Sequence, residues 1–364
     1  MSTIVLSAGG TGGHLFPAQA LAAELMRRGR SIVLMTDARG RNYGDAFPGA
    51  RIETVPSASP SNTNAVGKLL APLEIAIGVF IGWRKLLRLK PAAVVGFGGY
   101  PSLPVMLAAS LAGLPTLIHE QNAVLGRVNR LLAGRMRAIA ASFPFARFAP
   151  RDPQRIRDTG NPVRPEAVAL AHAPYEMPTA DGRIRLLVFG GSQGARALSE
   201  LVPAAIALLP ERVRSRLDVV QQGRPEDVDS VLEAYASVAV RAEIAAFFSD
   251  LPQQMARAHL VICRSGASTV SELAVIGRPA ILVPYPFATD DHQTANATVL
   301  EQAGAAWLIQ QRDLTAEKLS ALLADIFAQP VELARRAEAA ASLGKPDAAA
   351  RLADLVDQIG GSAA

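Results

Sequence analysis

The sequence predicts a two-domain α/β protein, each domain a doubly wound parallel sheet with helices on both faces. Three observations carry that expectation. Short apolar, β-rich runs alternate with helical segments; glycine-rich turns join strand to helix in both halves; and a Gly-x-Pro punctuation recurs, with Gly113 and Pro115 answered 164 residues on by Gly277 and Pro279. A chain of 364 residues suits two such domains better than one core.

In the first half, a strand is expected over Ile4–Leu6, then the run Gly9-Gly10-Thr11-Gly12-Gly13-His14, then a helix over Pro17–Arg28. The same succession restarts at Arg185–Phe189, passes through Gly190-Gly191-Ser192-Gln193-Gly194, and enters a helix over Ala195–Leu209. A second pair matches as well. Val94-Val95-Gly96-Phe97-Gly98-Gly99 leads through an apolar helix to a strand over Thr116–His119, and Val261-Ile262-Cys263-Arg264-Ser265-Gly266 leads to a strand over Ala280–Val283. Ligands of such sheets bind at the carboxyl ends of the strands, where these loops lie, so two domains would present two sets of loops to a shared cleft. The proline-dense stretch from Pro144 to Pro165 reads as the hinge. The expected domains are residues 1–163, joined by a C-terminal helix from about 342 to 364, and residues 164–341.

Composition narrows the function classes. Half the residues are apolar and 19% are charged, as in a well-buried enzyme. The single cysteine, Cys263, excludes an internal disulfide and a thiolate metal cluster, and no secretory pattern opens the sequence, which points to a reducing cytoplasm. The longest apolar stretch, Leu69–Trp83, is interrupted by Pro72 and Glu74 and is too short to span a bilayer. Residues 1–163 hold 19 Lys and Arg against 8 Asp and Glu, whereas residues 164–364 hold 18 against 24, so the first half is aimed at something anionic. With aromatics at 5% and no nucleic-acid motif, an acidic membrane surface is favoured over nucleic acid.

Small residues at a strand-to-helix turn let backbone N–H groups approach a diphosphate, and three loops qualify: Gly9–His14, Gly190–Gly194 and Ser265–Thr269. Each alone is equally a tight turn. Leu15 stands where G-x-G-x-x-G requires its third glycine, which weakens a dinucleotide oxidoreductase despite Asp37, and no Walker lysine follows any loop. Glu272, one turn into the helix after Ser265-Gly266, is placed to accept from ribose hydroxyls; otherwise it is a solvated helix residue. Gly190–Gly194 also fits the G-x-S-x-G elbow of α/β-hydrolases, with Asp250 and His259, or Asp290 and His292, as triad partners. A metal on Asp290 and His292 lacks D-x-D spacing, and no cofactor or metal is expected. His14 is the candidate general base, and Glu120, in His119-Glu120-Gln121-Asn122, the weaker alternative. In Leu69–Trp83 more than one helical face is apolar, and Lys68, Arg84, Lys85, Arg88 and Lys90 flank it, the pattern of a monotopic membrane patch.

Together these features resemble one family, the MurG-type N-acetylglucosaminyltransferases of bacterial cell-wall synthesis, which make lipid II from lipid I. The resemblance runs over essentially the whole chain. It rests on Gly9-Gly10-Thr11-Gly12-Gly13-His14-Leu15-Phe16-Pro17-Ala18, Gly96-Phe97-Gly98-Gly99-Tyr100-Pro101-Ser102, His119–Asn122, Gly160-Asn161-Pro162-Val163-Arg164, Gly190–Ala195, Arg264–Thr269 with Glu272, and Asp291-His292-Gln293 with Asn296-Ala297. It implies a GT-B fold, two Rossmann-like domains about a central cleft, the first binding acceptor and membrane and the second UDP-GlcNAc. The donor set it implies is Thr11, Gly12, Gly13, Asn122, Arg164, Ser192, Gly266, Ala267, Ser268, Glu272 and Gln293. Within that set Ser192 would meet the diphosphate, Glu272 the ribose, Asn122 and Gln293 the GlcNAc hydroxyls.

The implied acceptor is undecaprenyl-diphospho-MurNAc-pentapeptide, its diphosphate against Gly12, Gly13, Gly98, Gly99 and Tyr100, its lipid leaving past Ile75, Val79, Phe80 and Trp83. The implied reaction is an inverting hexosyl transfer at the cytoplasmic face of the bacterial inner membrane, near cell-wall and division proteins. The sequence departs from the family pattern around Phe287–Asn296. UDP-GlcNAc 2-epimerases and galactolipid synthases share the fold, but the apolar patch speaks against the first and the first-half glycine run against the second.

Overall fold

The computed structural model describes residues 2–10, 12–38, 46–58, 65–171, 173–191 and 194–361, residues 65–70 by backbone alone. Contacts divide the chain into two units, Met1–Arg164 with Pro346–Ala364, and Pro165–Lys345.

The first unit holds a seven-stranded sheet of β1 (Thr3–Ser7), β2 (Ser31–Thr36), β3 (Arg51–Thr54), β4 (Ala93–Gly96), β5 (Thr116–Glu120), β6 (Ala138–Ala141) and β7 (Ile156–Asp158). Their order is β3-β2-β1-β4-β5-β6-β7. Every pairing is parallel; Ile4, for example, lies between Ile32 and Ala93. Parallel strands are buried on both faces, which is why they read as continuous apolar runs rather than alternating ones. Ile4 and Leu6 point into one core layer with Leu21 and Leu25 of the helix Gly12–Arg27. Val5 points the other way, with Val33, Met35 and Val94, against Val105 and Met106 of the helix Leu103–Leu111.

The second unit repeats the plan with β8 (Ile184–Phe189), β9 (Leu217–Gln222), β10 (Arg241–Ala245), β11 (Leu260–Cys263), β12 (Ala280–Leu282) and β13 (Ala306–Leu308), ordered β10-β9-β8-β11-β12-β13 and again wholly parallel. Both sheets are therefore doubly wound. The chain order reverses between β1 and β4 in one and between β8 and β11 in the other. The four loops singled out in the sequence follow those four strands, so all stand at the switch points where such sheets bind ligands.

The repeated Gly-x-Pro has a local cause. Gly113 and Gly277 take φ of +69° and +72°, the left-handed conformation that ends the preceding helix. A Cβ on Gly277 would also stand 3.0 Å from Ala341 Cβ.

The last helix, Ala348–Gly361, belongs to the first unit, where Leu352, Leu355, Val356 and Ile359 join the layer of Ile4 and Leu6. Arg28 to Asp354 at 2.6 Å and Arg30 to Asp357 at 2.8 Å tie it to the chain around β2. Among the described residues no helix is long and apolar enough to cross a membrane.

Candidate active-site loops of the two units

In the first unit β1 gives way to a turn at Gly10, whose φ is +93°, and the following helix starts at Gly12. His14 is therefore a residue of the first helical turn, not of a loop as the glycine run suggested. The helix begins five residues before Pro17, which it accommodates internally. Residues 98 and 99, after β4, both have positive φ, and a Cβ on Gly99 would lie 3.3 Å from His14 Cδ2. Only glycine lets this loop pass so close to the imidazole. On the other side His14 Nδ1 lies 3.1 Å from Gln121 Oε1.

The strand end His119–Asn122 is almost wholly buried up to Gln121. His119 is held well below its ordinary pKa, at about 4, mainly because burial disfavours its charged form. Glu120 is 1% exposed, and its carboxylate accepts from Asn122 N at 3.1 Å, Asn122 Nδ2 at 3.2 Å, Gly126 N at 2.8 Å and Asn129 Nδ2 at 2.8 Å. A carboxylate so engaged organises the turn that presents Asn122. That geometry speaks against the base role held in reserve for it. Arg164, the last residue of the unit, places its guanidinium 6.0 Å from the Phe16 ring, beside the same helix start as His14. Tyr100 opens a short 3-10 turn, Tyr100–Ser102, and packs against the β4 core layer.

In the second unit the loop after β8 is anchored by Gly190 N, which donates to Gln222 Oε1 at 3.2 Å, and by the positive φ of Gly191 and Gly194. After β11, Gly266 caps the helix Ala267–Ile276. Ser265 Oγ donates to Gln293 O at 2.8 Å and Asn296 Nδ2 to Ser265 O at 3.1 Å, which locks this helix start to the next one. Gln293 Oε1 accepts from Tyr285 N at 2.9 Å, leaving its amide NH2 as the donating group. Glu272 is only 4% exposed, so it is not a solvated helix residue. A cavity of about 530 Å3 is bordered by Gly190, Gly194, Arg264, Tyr285, Phe287 and Gln293, within the size range of small-ligand sites. Thr11, Ser192 and Gln193 lie outside the described residues.

Three lining residues were not foreseen. Arg264, quoted only as part of a motif, is 8% exposed and donates to Val283 O and Pro284 O at 3.1 and 3.0 Å and to Gln311 Oε1 at 2.6 Å. Burial holds its pKa below the usual guanidinium range. Tyr285 and Phe287 stand edge to face with centroids 5.6 Å apart, and Phe287 is 80% exposed beside the cavity. The signal was an aromatic pair just after a strand, with Phe287 opening the segment where the family pattern breaks.

The hydrolase triad with His259 fails on geometry. His259 Nδ1 accepts from Arg185 N, at the beginning of β8, whereas the Gly190–Gly194 loop follows the end of that strand. Six extended residues separate two ends by roughly 20 Å, too far for a triad. Asp290 and Asp291 take left-handed φ of +53° and +52°, and His292 Nδ1 faces Thr289 O at 2.8 Å. Among the described residues no group of three His, Cys, Asp or Glu side chains is arranged to hold a metal.

On the helix Ala65–Leu89 the exposed apolar stripe differs from the expected patch. Ile75 and Val79 pack inward on the β4–β5 layer, while Leu73, Ile77, Phe80, Trp83 and Leu87 are exposed. Gly78 and Gly82 bring the opposite face onto Pro104 and Ala108, which fixes that rotation. Phe80 and Trp83 stack at 6.5 Å, with Arg84 5.9 Å from the Phe80 ring centroid. Arg84 and Arg88 remain exposed cations. Lys85 is not one, because its ammonium pairs with Glu53 and donates to Thr54 O. The Lys68 side chain lies outside the described residues.

Comparison with known proteins places the chain. The model of the glycosyltransferase family 28 N-terminal domain matches residues 4–141, and that of the C-terminal domain residues 185–352. The UDP-N-acetylglucosamine--N-acetylmuramyl-(pentapeptide) pyrophosphoryl-undecaprenol N-acetylglucosamine transferase of Rhodospirillum centenum is 53% identical, over 98% of this chain and 94% of its own length. That of Paramagnetospirillum magneticum is 52% identical over 97% and 95%. Among solved structures, Acinetobacter baumannii MurG superposes with a TM-score of 0.82 at 32% identity, covering 98% of this chain and all of the other. A UDP-GlcNAc 2-epimerase from Neisseria meningitidis, at 12% identity and a TM-score of 0.66 over 98% of this chain and all of its own, shares the fold alone.

Proposed function

The chain belongs to the family of UDP-N-acetylglucosamine--N-acetylmuramyl-(pentapeptide) pyrophosphoryl-undecaprenol N-acetylglucosamine transferases, and on that premise we propose that it makes lipid II. It transfers GlcNAc from UDP-GlcNAc to the MurNAc 4-hydroxyl of lipid I, with inversion at the anomeric carbon and release of UDP. The observation that carries this reading is the cavity of about 530 Å3 at the second unit's switch point, where Gly190, Gly194, Arg264 and Gln293 converge.

The nucleotide diphosphate sits there, received by backbone N–H groups of the Ser192 loop and by the start of the helix Ala267–Ile276, with Gly266, Ala267 and Ser268 nearest. Glu272 accepts from the ribose hydroxyls. The Gln293 amide NH2 holds hydroxyls of the sugar, and Thr11, Gly12, Gly13, Asn122 and Arg164 are the further donor-binding residues that the family resemblance implies. The acceptor diphosphate lies against Gly12, Gly13, Gly98, Gly99 and Tyr100. His14 takes the proton of the attacking hydroxyl as the bond to UDP breaks. The negative charge that develops on UDP meets N–H dipoles and arginine, so divalent metal is not needed.

The lipid-linked acceptor accounts for the exposed stripe Leu73, Ile77, Phe80, Trp83 and Leu87 with Arg84 and Arg88. The enzyme rests on an anionic bilayer, at the cytoplasmic face of the inner membrane, where cell-wall and division proteins are natural neighbours.

Purified protein is expected to release UDP from UDP-GlcNAc only when a lipid I analogue is added, at a rate unchanged by EDTA. Acceptor-independent formation of ManNAc would point to epimerase chemistry instead. Trp83→Glu is expected to weaken binding to anionic liposomes by roughly tenfold or more, since burying one such side chain contributes about 1.5–3 kcal/mol, with UDP affinity unchanged. Flotation with equal recovery of both proteins would remove the patch from the model of action.

A further inference from the structure

Between the two histidines of the first unit, one side chain determines which ring nitrogen of His14 carries the proton. Gln121 is 2% exposed, and its Nε2 lies 3.0 Å from Phe97 O and 3.3 Å from His119 O. Backbone carbonyls only accept, so the atom facing them is the amide NH2. Turning the amide over would set its oxygen against two carbonyl oxygens in a buried site, an arrangement costing several kcal/mol. The same nitrogen lies 3.1 Å from His119 Nδ1.

His119 is fully buried, and its other nitrogen, Nε2, lies 3.2 Å from Gly160 O, with Ser142 Oγ at 3.4 Å. Nε2–H donates to that carbonyl, which leaves Nδ1 as the acceptor of a Gln121 hydrogen. Both hydrogens of the Gln121 amide are then used, one on Phe97 O and one on His119 Nδ1. What remains is Oε1, and it faces His14 Nδ1 at 3.1 Å.

We infer that Gln121 is a positioning residue that holds neutral His14 as its Nδ1–H tautomer, leaving the lone pair on Nε2 for the acceptor hydroxyl. The polarity of the whole chain, from Gly160 O through His119 and Gln121 to His14, is set by two buried backbone carbonyls. In the reaction the hydroxyl proton passes to His14 Nε2 as the new O–C1 bond forms. The C1–O bond to the diphosphate breaks with its electron pair leaving on UDP, and Gln121 Oε1 faces the imidazolium so formed. This deepens the reading of His14 as base and rests on it. Among the described residues the titratable group facing His14 is His119, reached through Gln121. The Gly98–Gly99 loop on the ring's other side carries none, and Arg164 lies over Phe16, two residues along the helix.

The decisive measurement needs no loss of activity. The chain has five histidines, so two-bond 1H–15N spectra of the full-length 15N-labelled protein, with His14→Gln for assignment, resolve its tautomer. The neutral ring of His14 is expected as Nδ1–H in the native protein and shifted toward Nε2–H in Gln121→Ala. Gln121→Ala is expected to lower kcat by about 10- to 100-fold. An Nε2–H tautomer in the native protein overturns the inference, whatever the variants do. A His14→Ala enzyme with full activity would overturn the base assignment while leaving the tautomer result standing.

Discussion

Replacing His14 by alanine is expected to lower kcat for acceptor-dependent UDP release by about 10²- to 10⁴-fold, or about 3–5 kcal/mol of barrier, with little change in KM for UDP-GlcNAc. A sugar hydroxyl is too weak an acid to attack without losing its proton in the transition state, and His14 is the imidazole at the first unit's switch point that stands beside both positive-φ glycines. Its ring lies close beside Gly98 and Gly99, with Nδ1 facing Gln121 Oε1, so the truncation is expected to remove chemistry rather than core packing. Steady-state kinetics with a soluble lipid I analogue read both quantities. A loss below threefold, or one confined to KM for UDP-GlcNAc, would move the base elsewhere.

Much of the fold was legible because its causes are local. The apolar runs Ile4–Leu6 and Val94–Val95 are continuous since both faces of a parallel strand are covered, and Gly113 and Gly277 recur since a left-handed residue ends each preceding helix. The ligand-binding strand ends could be read because four glycine-rich turns followed four strands; that they are the switch points came from the strand order. Other features depended on partners distant in sequence. A start at Pro17 was the natural reading, as proline favours a first helical turn and Gly12-Gly13 disfavour one. The structure starts the helix at Gly12, directly after the turn at Gly10, and carries Pro17 inside it.

On the helix Ala65–Leu89 two faces were apolar, and periodicity alone does not say which one turns inward. The small residues Gly78 and Gly82, which seat the helix on Pro104 and Ala108, decide it, so Ile75 and Val79 pack half-buried against the core while Leu73, Ile77 and Leu87 join Phe80 and Trp83 outside. Lys85 looked like a headgroup cation because nothing local revealed that Glu53, on β3, would take it. Arg264 was overlooked for the converse reason. Its acceptors are two carbonyls and a glutamine from segments that sequence spacing does not bring together.

Glu120 supplies the second large effect, and one that separates structure from chemistry. Glu120→Ala is expected to destabilise the first unit by about 3–5 kcal/mol, because four N–H donors lose a charged acceptor in a site closed to water. Glu120→Gln should cost about 2–3 kcal/mol, since its NH2 replaces one oxygen that now accepts two of those bonds. A two-unit chain need not unfold in one step, so the reading is the transition of the first unit in urea, followed by tryptophan fluorescence of Trp83, with the second unit followed by Trp307. The first transition should move to lower urea and the second stay. Were Glu120 the base, Glu120→Gln would abolish turnover and leave both transitions in place. The structural role predicts the reverse for protein kept cold and folded, which should retain most of its kcat while losing sugar affinity as the turn bearing Asn122 loosens.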